Sequence, residues 1–171
     1  STSTRNYYLV LHRGSVDINK SIYFSLSAYE RIKTSSVNVS ISGTASNKGN
    51  SSISMSGVDS SVISVNLTND TKIPNKAIVT RISSSGTQSP SQGNVHHMIM
   101  PASNGNWYTS TVSSASSGHY NIDIDDGIPV KQKWSFKYNA LATAKSTMRN
   151  VKLTIEFQYD LHDTDYETYI R

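Results

Sequence analysis

Apolar and polar residues alternate with period two along most of this chain. The clearest run is NVKLTIEFQYDL. There Val151, Leu153, Ile155, Phe157, Tyr159 and Leu161 alternate with Lys152, Thr154, Glu156, Gln158 and Asp160. Successive side chains of a strand point to opposite faces, so the run predicts a strand with one apolar face. A slip of one residue would turn the whole apolar set to water, which fixes the register. KWSFKY likewise presents Trp134, Phe136 and Tyr138, and HYNIDI presents Tyr120, Ile122 and Ile124. KSIYFSLSAY presents Ile22, Phe24, Leu26 and Ala28. Between Ser35 and Thr71 the pattern predicts three strands. SSVNVSIS turns Val37, Val39 and Ile41 inward, NSSISMS turns Ile53 and Met55, and SSVISVNLT turns Ile63, Val65 and Leu67. KAIVTRIS offers Ile78, Thr80 and Ile82, and HHMIM is a shorter, more continuous run.

Gly-, Pro- and Asn-bearing stretches separate these runs: SGTASNKGN, TNDTKIPN, SSSGTQSPSQG, PASNGN, SSASSG and DDGIP. Those residues supply the backbone angles that turns need. Helical periodicity is lacking, and YNALATAKSTMRN is read as a helical turn or a long crossing loop. About eight or nine short strands, each with one apolar face, predict an all-β, antiparallel, jelly-roll-like β-sandwich. The 171 residues suit one domain, 1–171, with 162–171 (HDTDYETYIR in outline) as a loose C-terminal tail.

Composition narrows the function classes. Only 16% of residues are charged, there are ten Tyr, and Ser, Thr and Asn fill the polar positions. This surface is commoner outside cells, and the hydroxyl-rich start STSTRNYYLV fits a signal-cleaved or trimmed end; the expected location is extracellular. The absence of Cys excludes a disulfide framework, Cys-ligated zinc and thiol catalysis. Net charge is +4, with nine Lys/Arg against four Asp/Glu in residues 1–90 and seven against eight in residues 91–171. No dense basic stripe with interleaved aromatics occurs, so nucleic acid is not an expected partner.

No Gly-x-Ser-x-Gly elbow, zinc-protease helix, phosphate loop or dinucleotide fingerprint occurs, and no catalytic residue is assigned. In NIDIDDG, Asp123, Asp125 and Asp126 collect three carboxylates at a strand end, a candidate half-site for Ca2+. The alternative is an exposed strand running into an Asp-Gly turn. His96 and His97 are adjacent and face opposite ways in a strand, one outward and one at the core rim, so they cannot chelate together. Trp107 and Tyr108 in NGNWYTS follow a loop and, with Tyr120, are candidate ligand-binding aromatics, since flat rings with polar tips stack on sugars. Trp134 alternates with Phe136 and reads as core.

KIPNKAIVTRIS followed by KWSFKYNALATAKSTMRNVKLTIEFQYD resembles accessory jelly-roll modules of secreted bacterial proteins, the convertase P-domain-like and galactose-binding-like modules among them. The resemblance covers roughly the second half and implies the fold; no ligand residue carries over. The expected function is an exported, non-enzymatic β-sandwich that binds a cell-surface glycan or wall polymer, or itself. Alternatives are a β-pore-forming protein, a phage particle protein, or a hydrolase whose His acts with Asp123 or Asp125. A spanning strand needs about 9–11 residues, and SSVNVSIS supplies an apolar face of only Val37, Val39 and Ile41, so membrane insertion is not expected.

Overall fold

In the computed structural model, the alternation of the last clear run becomes a strand of 15 residues around which half the molecule is organised. The structure describes residues 31–111, 119–125 and 127–161, together with Asn19 and Tyr23. The strand expected over KSIYFSLSAY and the tail 162–171 lie outside the described residues. Within them the chain forms β1 (Ile32–Ile41), β2 (Ala45–Asn47), β3 (Val58–Asp59), β4 (Ile63–Asn66), β5 (Ile78–Ser89), β6 (Val95–Pro101), β7 (Tyr108–Thr109), β8 (Tyr120–Ile122), β9 (Lys133–Ala140) and β10 (Ser146–Asp160). Strands β2, β3 and β7 are two or three residues long, too short to show a period, which is why the count exceeds the eight or nine expected.

Two antiparallel sheets form the sandwich that the alternation predicts. In one, β10 pairs with β1 and β2 along one side and β5 along the other, and β8 extends beyond β5. In the other, β9 pairs with β3 and β4 along one side and β6 along the other, and β7 extends beyond β6. The inner faces carry Val151, Leu153, Ile155 and Phe157 from β10 and Trp134, Phe136 and Tyr138 from β9, all buried. Burying one such side chain contributes roughly 1.5–3 kcal/mol. The four from β10 alone therefore rival the roughly 5–15 kcal/mol net stability of a domain, and no other register of β10 is competitive.

Some local expectations are corrected. Ile53 and Met55 do not face inward: residues 51–56 form turns, and both side chains are exposed. The cause is Asn50, whose Oδ1 accepts from Ser54 N at 2.8 Å while its Nδ2 donates to Ser54 O at 2.8 Å and to Leu141 O at 3.1 Å. A side chain that bonds its own neighbouring backbone competes with extended pairing. Thr80 is exposed and Val79 is buried instead. Between Glu156↔Arg81 and Phe157↔Val79 the register jumps, so Thr80 is the extra residue of a bulge. SSSGTQS is strand rather than breaker, continuing β5 to Ser89. A Cβ at its Gly86 would lie 2.9 Å from Met148 Sδ, so a larger residue there would displace the buried Met148 side chain. Finally, YNALATAKSTMRN contains neither a helical turn nor a long crossing: β9 ends at Ala140 and β10 begins at Ser146.

Polar atoms cross the apolar interior at two places. Tyr138 Oη on β9 bonds Ser146 Oγ on β10 at 2.9 Å. His97 Nδ1 on β6 bonds Ser84 Oγ on β5 at 2.8 Å. His97 is fully buried, stacked on Tyr120 at 3.6 Å between ring centroids and edge-on to Phe136 at 5.1 Å. It therefore sits in the core rather than at its rim, and its Nε2 has no hydrogen-bond partner. Burial disfavours the imidazolium and lowers the His97 pKa from 6.5 to about 3. Between those values the unfolded chain binds a proton that the folded chain refuses. This contribution to stability is whole above pH 6.5 and declines as pH falls toward 3, by about 1.4 kcal/mol per pH unit. We expect urea midpoints measured from pH 7.5 to pH 4 to fall steeply, and the fall to be shallower in His97→Gln. Equal slopes in both proteins would contradict this account of His97.

Candidate functional site

Of the residues that sequence reading singled out for binding, Trp107 stands at the outer face of the β9 sheet. Because Trp134, Phe136 and Tyr138 point inward, the alternate β9 residues Lys137 and Asn139 point outward. By the same parity His96, Met98 and Met100 of β6 face outward, opposite the inward Val95, His97 and Ile99. Cross-strand pairing sets Met98 beside Lys137 and Thr109, and His96 beside Asn139. Trp107, immediately before β7, is half-buried, and Lys137 Nζ lies 4.4 Å from the centre of its ring. The same ammonium contacts Asp59 Oδ2 of β3 at 2.5 Å, and Asn139 Nδ2 donates to Asp59 Oδ1 at 2.7 Å. A shallow recess of about 310 Å³ opens beside this group, lined among others by Met55, Asp59, His96, Met98 and Asn139.

The loop that carries Trp107 is tied at several points. Gly105 N donates to Pro101 O at 3.1 Å, with Gly105 at φ 70, a left-handed angle suited to glycine. Asn104 Oδ1 accepts from Asn106 N at 3.0 Å, and Ser103 N donates to Gln132 Oε1 at 2.7 Å. Tyr108 Oη accepts from Asn104 Nδ2 and donates to Asp125 Oδ2, both at 2.7 Å. Trp107 thus stands between a braced turn and an anchored Tyr108, and a ligand would meet a surface already organised.

Electrostatics agree with the geometry. Partial burial alone would raise the Asp59 carboxyl pKa, but the hydrogen bonds from Lys137 and Asn139, with the charge of Lys137, outweigh it and hold the carboxyl below its usual range. Tyr108 moves the other way, chiefly because its phenol proton is held by Asp125. Lys137 and Asp59 satisfy each other and together add no net charge to this group, which otherwise offers aromatic, amide and thioether side chains.

The sequence-predicted residues separate into two environments. Trp107 lies on this surface, whereas Tyr108 pairs with the inward-facing Ile99 and packs against the core with its hydroxyl on Asp125, and Tyr120 is 2% exposed with its ring against His97, its face closed to a ligand. Asp125 accepts a hydrogen bond from Tyr108, and both Asp123 and Asp125 are exposed. Asp126 lies outside the described residues. Among the described residues no three His, Cys, Asp or Glu side chains converge as a metal site. Sequence reading missed Asp59, Lys137, Asn139, His96 and Met98 as one group. The parity of β9 and β6 held that signal, but the pairing of β3 with β9 did not show in the chain.

Ser84 and His97 are within hydrogen-bond reach of each other, as a nucleophile and its base would be. Both are buried, at 1% and 0% exposure, and Nε2 meets no carboxylate, so the pair acts as a bridge between sheets.

No family model matches this chain. Among curated proteins it is similar to the uncharacterized protein YbdN of Bacillus subtilis (strain 168), with 50% identity over 159 residues. The match covers 93% of this chain and 55% of YbdN, so the chain spans about half the length of the curated relative it matches.

Removing the platform's cation should release its carboxylate. In Lys137→Met, the Asp59 pKa is expected to rise measurably, since burial remains and its main counter-influence is gone. Side-chain carboxyl NMR titration reads this directly; an Asp59 pKa unchanged by the substitution would refute the pairing.

Proposed function

We propose that this chain is an exported, non-enzymatic β-sandwich that binds a neutral glycan or wall polymer through the outer face of its β9 sheet. The observation that carries the reading is Trp107: a half-exposed indole after a braced turn, with Lys137 against its ring and Asn139 joined to Lys137 through Asp59. Sugar rings present apolar C–H faces to aromatic rings and hydroxyls to amides, and both partners are at hand on this surface. Because Lys137 is paired with Asp59, the surface favours an uncharged ligand over an anionic one. The low charge and the Ser/Thr-rich surface support an extracellular setting. Binding is preferred to membrane insertion because Val39 and Ile41 of β1 are buried and Val37 packs against the core, which leaves the strand no apolar face for lipid.

A glycan array and a cell-wall pull-down test this reading. Wild type should bind a defined glycan or wall fraction, and Trp107→Ala should weaken binding at least tenfold, about the loss of a stacked aromatic anchor, with an unchanged circular dichroism spectrum. No binding by wild type, or equal binding by Trp107→Ala, would overturn it.

A further inference from the structure

The recess beside Trp107 collects a second kind of chemistry. The chain has four methionines, and only Met148 is buried. Met98 and Met100 occupy the outward positions of β6 beside His96, and Met55 reaches the same recess from the turn after Asn50. His96 and Met98 are two residues apart on one strand face, about 7 Å between Cα atoms. Thioether side chains have three rotatable bonds, so Met98 and Met55 can reach a shared point, with the rotamer freedom lost there offset by the metal–sulfur bonds.

The imidazole of His96 is oriented for coordination. Its Nδ1 lies 3.1 Å from the carbonyl oxygen of Ser110. A carbonyl can only accept, so Nδ1 carries the hydrogen and Nε2 carries the lone pair. That arrangement, one ring nitrogen tied to a backbone carbonyl and the other available, is how metal-binding histidines are held. The neighbouring His97 points into the core, so this strand face offers one imidazole.

The available donors are neutral and soft. Asp59, the carboxylate lining the recess, is engaged through both oxygens by Lys137 and Asn139. A hard divalent ion would find no free carboxylate in this lining, and zinc would find one imidazole and no thiolate. Thioether sulfur with imidazole nitrogen selects Cu(I). We propose that the outer face of β6 and the turn at Met55 form a Cu(I) site, with His96 Nε2 and the sulfurs of Met98 and Met55 as ligands. This site does not depend on glycan binding by Trp107.

The test is an anaerobic titration of the full chain with Cu(I) under ascorbate, with bicinchoninate as the competing chromophoric chelator. Wild type should withdraw one equivalent of Cu(I) from the chelator, and X-ray absorption should show sulfur together with nitrogen around the metal. His96→Asn and Met98→Leu should each weaken retention at least tenfold. Met55→Leu, at a fully exposed position that cannot disturb folding, should weaken it as well. Met148→Leu, in the core, should retain the metal as wild type does. Failure of wild type to compete, a sulfur-free coordination shell, or unchanged retention in Met98→Leu and Met55→Leu would overturn the proposal.

Discussion

The described part of the chain hangs on two buried strands, one at the heart of each sheet. β10 holds β1, β2 and β5, and β9 holds β3, β4 and β6. Their inner faces are almost wholly apolar, and burial of either set is comparable to the net stability of the domain. Apolar packing alone leaves the alignment of two sheets loosely specified. The bonds from Tyr138 to Ser146 and from His97 to Ser84 tie a particular residue of one sheet to a particular residue of the other. A shifted alignment would leave these buried polar atoms unpaired, a cost of about 1–3 kcal/mol each.

The same two-residue period that builds the core also builds the surface. On β9 it sends Phe136 and Tyr138 inward and Lys137 and Asn139 outward; on β6 it sends His97 inward and His96 outward. Two adjacent histidines thereby take opposite chemical lives. One is a neutral core ring whose desolvation sets an acid limit on the fold. The other is half-exposed, with its tautomer fixed by a backbone carbonyl. Trp107 reaches the platform from the β6–β7 loop, and β3 contributes Asp59. The platform is therefore assembled by sheet pairing from parts far apart in the chain.

This explains what could be read from the sequence. Alternation over long, strongly apolar strands such as 151–157 and 134–138 places residues correctly, because one face must be buried whatever its partner; beyond Phe157 it overreaches, since Tyr159 is only half-buried and Leu161 lies in a turn past β10. It fails where a side chain overrides the period. Asn50 bonds the backbone of Ser54 and converts NSSISMS from a strand into turns, and the bulge at Thr80 exchanges it with Val79. It also undervalues polar residues at apolar parity: His97 lies between Val95 and Ile99, and that spacing already assigned it inward. Trp107 and Tyr108 were legible as loop aromatics. Their companions Asp59, Lys137 and Asn139 were not, because the local pattern carries no information about which strand lies beside which.

The central claim is that β9 and β10 form the one cooperative frame on which both surface and core depend. Native-state hydrogen exchange tests it most directly. The account predicts that inner amides of β9 and β10 exchange only through global unfolding, with one shared free energy, while amides of residues 51–57 and 141–145 exchange through smaller openings. If the two strands exchanged with clearly different free energies, each sheet would be opening independently, and the account would be contradicted.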